Sequence, residues 1–149
     1  MKKVHARILI LLMAIVSSLN LLSCNKDEKE DPGQGSNSEL VGKWFVDKIT
    51  IEFYTKVPEL EDILNGTQTE DGDGEYWVFT ATKLTTYDKY GDPEDDPIDY
   101  IYDKDKGKLY VDDMEDAFNV LTLTKDRLVL YAEVYEGLVT NKITIEFYK

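Results

Sequence analysis

The sequence is nearly devoid of thiol and imidazole groups. Its 149 residues include one cysteine, Cys24, and one histidine, His5. From residue 25 onward the chain has neither group, which excludes Ser-His-Asp and Cys-His nucleophilic systems there, as well as zinc sites built from His and Cys. Any catalysis would have to depend on carboxylates, lysine or tyrosine. We therefore expect no enzymatic activity, no catalytic residues and no cofactor.

Long hydrophobic runs are also missing. The apolar run at residues 8–16 is shorter than the roughly 20 residues that a membrane-spanning helix needs, and no later stretch is long and apolar enough. The run follows the basic residues Lys2, Lys3 and Arg7 and precedes small residues, a pattern typical of a secretory signal. We predict that residues 1–23 are a signal peptide and that no transmembrane segment follows.

The single cysteine lies at the predicted cleavage site. The segment Leu21-Leu22-Ser23-Cys24 resembles the lipobox of bacterial lipoproteins, in which the cysteine becomes the acylated first residue of the mature chain. The resemblance implies a diacylglycerol thioether and an N-acyl chain such as palmitate on Cys24, and each buried CH₂ contributes about 0.8 kcal/mol to membrane binding. If Cys24 is acylated, the chain has no free cysteine left to form a disulfide. The alternative is an incidental cysteine in a signal that is cut elsewhere, so that the protein is released.

Residues 24–38 are polar, with Gly, Pro and Ser, and predict a flexible tether. The segment Lys26-Asp27-Glu28 resembles the export signal of Bacteroidota surface lipoproteins, which implies an outer-membrane lipoprotein displayed at the cell surface. A generic charged linker is the alternative, and the anchor would then face the periplasm.

Basic residues are scarce. The chain has 17 Lys and Arg against 30 Asp and Glu, a net charge of −13, and removal of Lys2, Lys3 and Arg7 with the signal would change it to −16. Phosphate backbones bind through basic side chains, so nucleic acid is excluded as an expected partner. The same charge should keep the domain away from anionic lipid, so its contact with the membrane would be through the lipid anchor.

From residue 39 onward, short runs of alternating apolar residues are separated by turn residues, which is typical of an all-β domain. Tight turns at 104–107, 125–126 and around 136–137 predict hairpins and therefore an antiparallel meander. The eight predicted strands are residues 42–54, 75–81, 83–88, 98–103, 108–112, 117–124, 127–136 and 139–148.

One connection differs from these hairpins. Pro58 is followed by Leu60, Ile63 and Leu64 at helical spacing and then by Gly66, which predicts a short helix after the first strand. We expect this helix to cover one end of the barrel.

Two details of the strands predict the topology further. Trp44 and Val46 have the opposite parity to Ile49 and Ile51, so a β-bulge near residues 47–48 is needed to keep one continuous inward face. The first and last strands contain the same heptapeptide, Lys-Ile-Thr-Ile-Glu-Phe-Tyr, at 48–54 and 142–148. In a closed barrel these strands would be neighbours, which would remove two exposed edges.

The segment Leu40-Val41-Gly42-Lys43-Trp44 at the start of this meander resembles the Gly-x-Trp signature of lipocalins, and with the lipobox it is similar to lipocalin-like lipoproteins of Bacteroidota. The resemblance covers residues 39–149 and implies an eight-stranded barrel with Trp44 closing its base. Lipocalins place an Arg over this Trp from the last strand. That strand has no Arg here, so we expect Arg127, on an adjacent loop, to supply the cation.

The lipocalin resemblance implies a ligand inside the barrel. Without an inward Arg and with so acidic a chain, a fatty-acid anion is a poor candidate, and we expect a small hydrophobic or amphipathic ligand. The alternative is a barrel filled with side chains that presents an outer Tyr/Thr/Glu face to a protein or glycan at the cell surface. The residues predicted to line or close the ligand site are Trp44, Ile49, Ile51, Phe53, Trp77 and Phe79.

Acidic loops are a further candidate site. The segment Asp71-Gly72-Asp73-Gly74-Glu75 has oxygen ligands on a Gly-rich turn, as Ca²⁺ prefers, but it lacks the EF-hand spacing. We expect a solvated turn there and no metal site.

Overall fold

The computed structural model describes residues 37–112 and 114–149. The predicted signal peptide, Cys24 and nearly all of the predicted tether lie outside the described residues. The rest is an all-β domain with a 3-10 turn at Asn37–Glu39, one short helical segment after the first strand and no cis peptide bond among the described residues. Its strands are β1 (Gly42–Thr55), β2 (Gly66–Asp71), β3 (Tyr76–Phe79), β4 (Lys83–Tyr87), β5 (Ile98–Asp103), β6 (Lys108–Val111), β7 (Phe118–Leu123), β8 (Arg127–Glu136) and β9 (Val139–Tyr148).

The strands form a closed antiparallel barrel. Each of β3 to β9 pairs with its sequence neighbour, and β9 pairs with one edge of β1. The other edge of β1 pairs with β3 over residues 42–45 and with β2 over residues 48–53, so β2 and β3 together occupy one strand position. The barrel therefore has eight positions, which confirms the predicted fold class.

The helical segment follows β1, as predicted. A 3-10 turn at Pro58–Leu60 continues into α1 (Glu61–Leu64). Neither contains a buried residue, and Ile63 is 75% exposed.

Strand β2 was not predicted. Its sequence, Gly-Thr-Gln-Thr-Glu-Asp, has no apolar alternation, and its residues are exposed except for Glu70, which is partly buried. Among the described residues β2 pairs only with β1, so its second edge has no strand partner. Backbone hydrogen bonds to β1, rather than burial of its own side chains, place this segment in the sheet.

The bulge and the adjacency of the first and last strands are both confirmed. The β1–β9 register shifts between Val46 and Lys48, after which Ile49 faces Ile145. The two copies of the heptapeptide pair with each other around Thr50 and Thr144, so that each Lys lies opposite a Glu of the other copy. Because the heptapeptide is self-complementary in antiparallel pairing, the same residue types form both strands at the point where β1 and β9 close the barrel.

Trp44 closes the base of the barrel. It is fully buried, and its indole N–H donates to the Leu40 carbonyl at 2.7 Å. The cation over its ring is Lys149, with Nζ at 4.2 Å from the ring centroid. The prediction that Arg127 supplies this cation was wrong, because Arg127 Nη2 forms an ion pair with Glu146 Oε2 at 2.7 Å.

Candidate ligand site in the barrel interior

The six residues predicted to line the interior share the inner face of the sheet but differ in burial. Trp44 and Phe79 are buried at the base, with 0% and 1% exposure. Ile49, Ile51 and Trp77 are partly buried and pack against the core. Phe53 is also partly buried and lies further along β1, near the rim. The structure thus separates two residues that close the base from four that border the interior above it.

Aromatic rings fill the space directly above the base. Trp77 is at their centre, with ring centroids 5.0 Å from Phe147, 6.3 Å from Phe79 and 6.4 Å from Phe118. Edge and tilted contacts of this kind stabilise aromatic clusters beyond the area that they bury. Because Trp77 itself stays partly accessible, the cluster forms the floor of the space above it.

The rim half of the interior, which we define by Ile49, Ile51, Phe53, Val120 and Val134, is less completely filled. All five side chains are only partly buried, although the register places them on the inner face. An inward apolar side chain that stays accessible borders space that protein atoms do not fill. The rim half is therefore where a ligand can be held.

Gly66 on β2 also adjoins open space, on the face of the sheet that it shares with Phe53. It lies opposite Phe53, and a Cβ built on it would meet no atom within 4 Å. Since this glycine is not in the left-handed backbone region, a larger side chain can be introduced there without backbone strain.

Thr55 organises the rim itself. Its hydroxyl donates to the Leu138 carbonyl at 2.8 Å and accepts from the Val57 amide at 3.2 Å, while its own amide donates to Asn65 Oδ1 at 2.7 Å. These bonds tie the end of β1, the chain around α1 and the β8–β9 turn together. The wall around the rim half is thus held in place by hydrogen bonds between side chains and the backbone.

Two polar side chains on the inner face were not predicted. Glu70 lies opposite Ile49, and Asn141 lies opposite Phe53 and Val134. Glu70 Oε2 and Asn141 Oδ1 are buried and have no hydrogen-bond partner within residues 37–112 and 114–149. Asn141 has the inward parity of β9, so the sequence pattern could have identified it. Glu70 carries no such signal, because β2 has no apolar alternation.

The outer surface carries an aromatic row across four strands, formed by Tyr148, Phe45, Tyr76 and Tyr87, which lie opposite one another in register. Neighbouring ring centroids are 5.6, 5.7 and 4.8 Å apart. Lys43 Nζ lies 3.4 Å from the Tyr76 centroid, and Tyr148 is 48% exposed. This row forms a continuous aromatic strip on the outer face.

Burial and hydrogen bonding keep key tyrosines protonated. Burial raises the pKa of Tyr100, whose hydroxyl donates to the Thr80 carbonyl at 2.6 Å. On the outer face, burial and the hydrogen bond to Glu133 raise the pKa of Tyr131 to about 12. Both phenols act as hydrogen-bond donors at neutral pH and not as bases.

The acidic loop at 71–75 connects β2 and β3. Lys89 Nζ forms an ion pair with Asp73 Oδ2 at 2.5 Å, and the Gly72 amide donates to the Asp47 carbonyl at 3.0 Å. Within residues 37–112 and 114–149, no group of three or more His, Cys, Asp or Glu is arranged to hold a metal ion. Over the same part of the chain, no helix has the length and apolar character needed to cross a bilayer.

Comparison with known proteins identifies a family for this chain. A family model described as a lipocalin-like domain matches residues 40–130, from the Leu40 that accepts the Trp44 hydrogen bond to the middle of β8. No curated protein and no solved structure matches the chain.

Proposed function

Because the chain belongs to the lipocalin-like domain family, we propose that its barrel binds one small hydrophobic or amphipathic molecule in the rim half of the interior, without catalysing a reaction. The observation that carries this proposal is the set of inward apolar side chains that stay accessible above the Trp77 floor, beside the open space at Gly66. An eight-stranded barrel is just wide enough to hold one small ligand.

We further propose that the protein acts in the cell envelope, anchored to the outer membrane through a lipid on Cys24 and displayed at the cell surface. The supporting features are the signal-like residues 1–23, the lipobox and the Lys26-Asp27-Glu28 segment. The tether at residues 24–38 would separate the barrel from the membrane, and ligand exchange at the rim would then not require lipid contact.

Fluorescence titration with N-phenyl-1-naphthylamine, a neutral apolar dye, tests ligand binding. The protein would be residues 24–149 with Cys24→Ser, so that no lipid or detergent competes. We expect saturable binding, and Gly66→Phe should weaken it at least about tenfold because the new ring occupies the open space.

Thr67→Phe is the matched control. Thr67 is next to Gly66 on β2 but pairs with the exposed Glu52 on the outer face. The dye affinity of Thr67→Phe should therefore stay within about twofold of the parent. Absence of saturable dye binding, or equal losses in Gly66→Phe and Thr67→Phe, would contradict the proposal.

The outer aromatic row supports a second candidate function, an interaction module that binds a glycan or protein at the cell surface. Exposed aromatic faces supply large contact area at low entropic cost, and Tyr is enriched at binding surfaces. A glycan array and crosslinking in intact cells would test it, with Tyr148→Ala and Tyr87→Ala expected to lose the signal. If both variants kept every partner, the aromatic row would be ruled out as the binding surface.

A further inference from the structure

We propose that the molecule held in the rim half carries a protonated amine, which donates hydrogen bonds to the Glu70 carboxylate. This inference rests on the proposed ligand-binding function and specifies the chemical class of the ligand. It begins from the two buried acceptor atoms on the inner face, Glu70 Oε2 and Asn141 Oδ1, that have no partner among the described residues.

The register places Glu70 inside the barrel. Directly opposed residues of an antiparallel pair project from the same face of the sheet, and Glu70 is opposite Ile49, which packs against the core. Glu70 is the one residue of β2 that is not exposed. One oxygen of its carboxylate, Oε2, is therefore shielded from bulk water.

The chemistry of the unpartnered atom identifies the missing group. A carboxylate oxygen accepts hydrogen bonds and donates none when ionised, so its partner must offer N–H or O–H. Buried polar atoms in folded proteins almost always have a partner, and charge-assisted bonds to an ionised carboxylate are the strongest available. An ammonium group supplies both donors and the opposite charge.

The described strands place no cation inside the barrel. The inward positions of the nine described strands contain no Lys or Arg. The basic residues near the seam are on the outside, where Lys48 and Arg127 pair with Glu146. A bound cation can supply the counter-charge that the strands do not place beside Glu70, and an anionic ligand would be repelled.

Asn141 provides a second hydrogen-bond acceptor on the inner face, closer to the rim. Its Nδ2 donates to Glu136 Oε2 at 3.1 Å, which leaves Oδ1 as a second acceptor beside Phe53. Ile49 and Phe53 are four residues apart on β1, or roughly 13 Å at the usual strand rise. An amphipathic amine would place its head group at Glu70 and its apolar part along this face, where Asn141 can accept a further donor.

Four probes with the same decyl chain test whether binding requires a positive charge and an N–H donor: decylamine, decyltrimethylammonium, decanol and decanoate. Each displaces the naphthylamine dye from residues 24–149 with Cys24→Ser. We expect decylamine to bind at least about tenfold more tightly than decanol, with decyltrimethylammonium between them and decanoate weakest. In Glu70→Gln, decylamine should lose at least about tenfold, while decanol changes by less than about threefold.

Glu52→Gln is the matched control. It removes the same charge from the outer face of β1, where Glu52 is exposed, and should leave the order of the four probes unchanged. Dye binding without a preference for decylamine, or equal losses in Glu70→Gln and Glu52→Gln, would overturn this inference alone. Failure of the dye and all four probes to bind would overturn the proposed function as well.

Discussion

At the scale of single residues, the base of the barrel depends on one tryptophan and its two polar contacts. Trp44 is buried completely, yet its N–H reaches the Leu40 carbonyl and its ring faces the Lys149 ammonium. A cation over the indole face is attracted by the ring quadrupole, and the interaction contributes about 0.5–1 kcal/mol at exposed sites. An Arg is not required for it, which explains how this chain differs from the usual lipocalin pattern.

Lys149→Met tests this contact. Methionine keeps an apolar side chain over the ring and removes the charge, so the free energy of unfolding should fall by about 0.5–1 kcal/mol in urea titrations. Lys125→Met, on the β7–β8 turn, is the control and should stay within about 0.5 kcal/mol of the parent. Equal effects of the two substitutions would show that Lys149 contributes only general surface charge.

The ion pairs of Glu146, where β1 and β9 close the barrel, predict that the stability of the barrel depends on pH. Lys48 Nζ lies 2.9 Å from Glu146 Oε1, and this hydrogen bond, with Arg127, holds the pKa of Glu146 below its usual value of 4.5. A lowered carboxyl pKa contributes stability above the unfolded pKa, and this contribution is lost as the pH falls through the folded-state pKa.

Glu146→Gln should therefore be less stable than the parent by about 0.5–1 kcal/mol at pH 7, and the difference should disappear as the pH is lowered below 4.5. Urea titrations of both proteins across this range measure the effect. Glu115→Gln, in the exposed β6–β7 loop, is the control. A difference that grows on acidification would have the wrong sign for this ion pair.

At the scale of elements, the junction between β2 and β3 depends on a close backbone approach. The Gly72 amide donates to the Asp47 carbonyl at 3.0 Å, and the Val46 amide donates to the Glu75 carbonyl at 2.9 Å. A Cβ on Gly72 would lie 2.0 Å from the Val46 carbonyl oxygen. The connection between β2 and β3 can pass this close to β1 only because residue 72 has no side chain.

Gly72→Ala should consequently destabilise the barrel by at least about 2 kcal/mol, because backbone atoms would have to move. Gly66→Ala, at the other end of β2, is the matched control. It meets no atom within 4 Å and should be neutral or stabilising by up to about 1 kcal/mol. Thermal unfolding followed by circular dichroism measures both, and similar melting temperatures for the two variants would contradict the close approach.

At the scale of the whole molecule, we expect the acidic barrel and the proposed lipid anchor to have separate roles. The chain has 30 acidic residues against 17 basic ones and should be repelled by anionic lipid, so membrane attachment would depend on Cys24. Cys24→Ser should abolish incorporation of an alkyne-labelled palmitate and move the protein out of the membrane fraction. Lys2→Gln, which leaves two basic residues in the signal, is the control and should still be labelled. Membrane retention of unlabelled Cys24→Ser would contradict a lipid anchor.

Local pattern was sufficient to predict most of the architecture of this protein. Alternating apolar residues predict each of the eight strand positions, because a strand buried on one face must repeat every two residues. The change of parity between Val46 and Ile49 predicts the bulge for the same reason, and the shared heptapeptide predicts adjacent first and last strands. Pro58 and the helical spacing after it predict the short helix.

Tertiary structure alone decided the features that lack such a pattern. Residues 66–71 become a strand because the edge of β1 supplies their hydrogen-bond partners, and that pairing turns Glu70 toward the interior. Lys149 rather than Arg127 covers Trp44 because closure of the barrel brings the end of β9 beside its base. Apolar alternation identifies the strands that bury one face, since burial on one face recurs every two residues. Which polar side chain faces the interior depends on register, and register is set between segments distant in sequence.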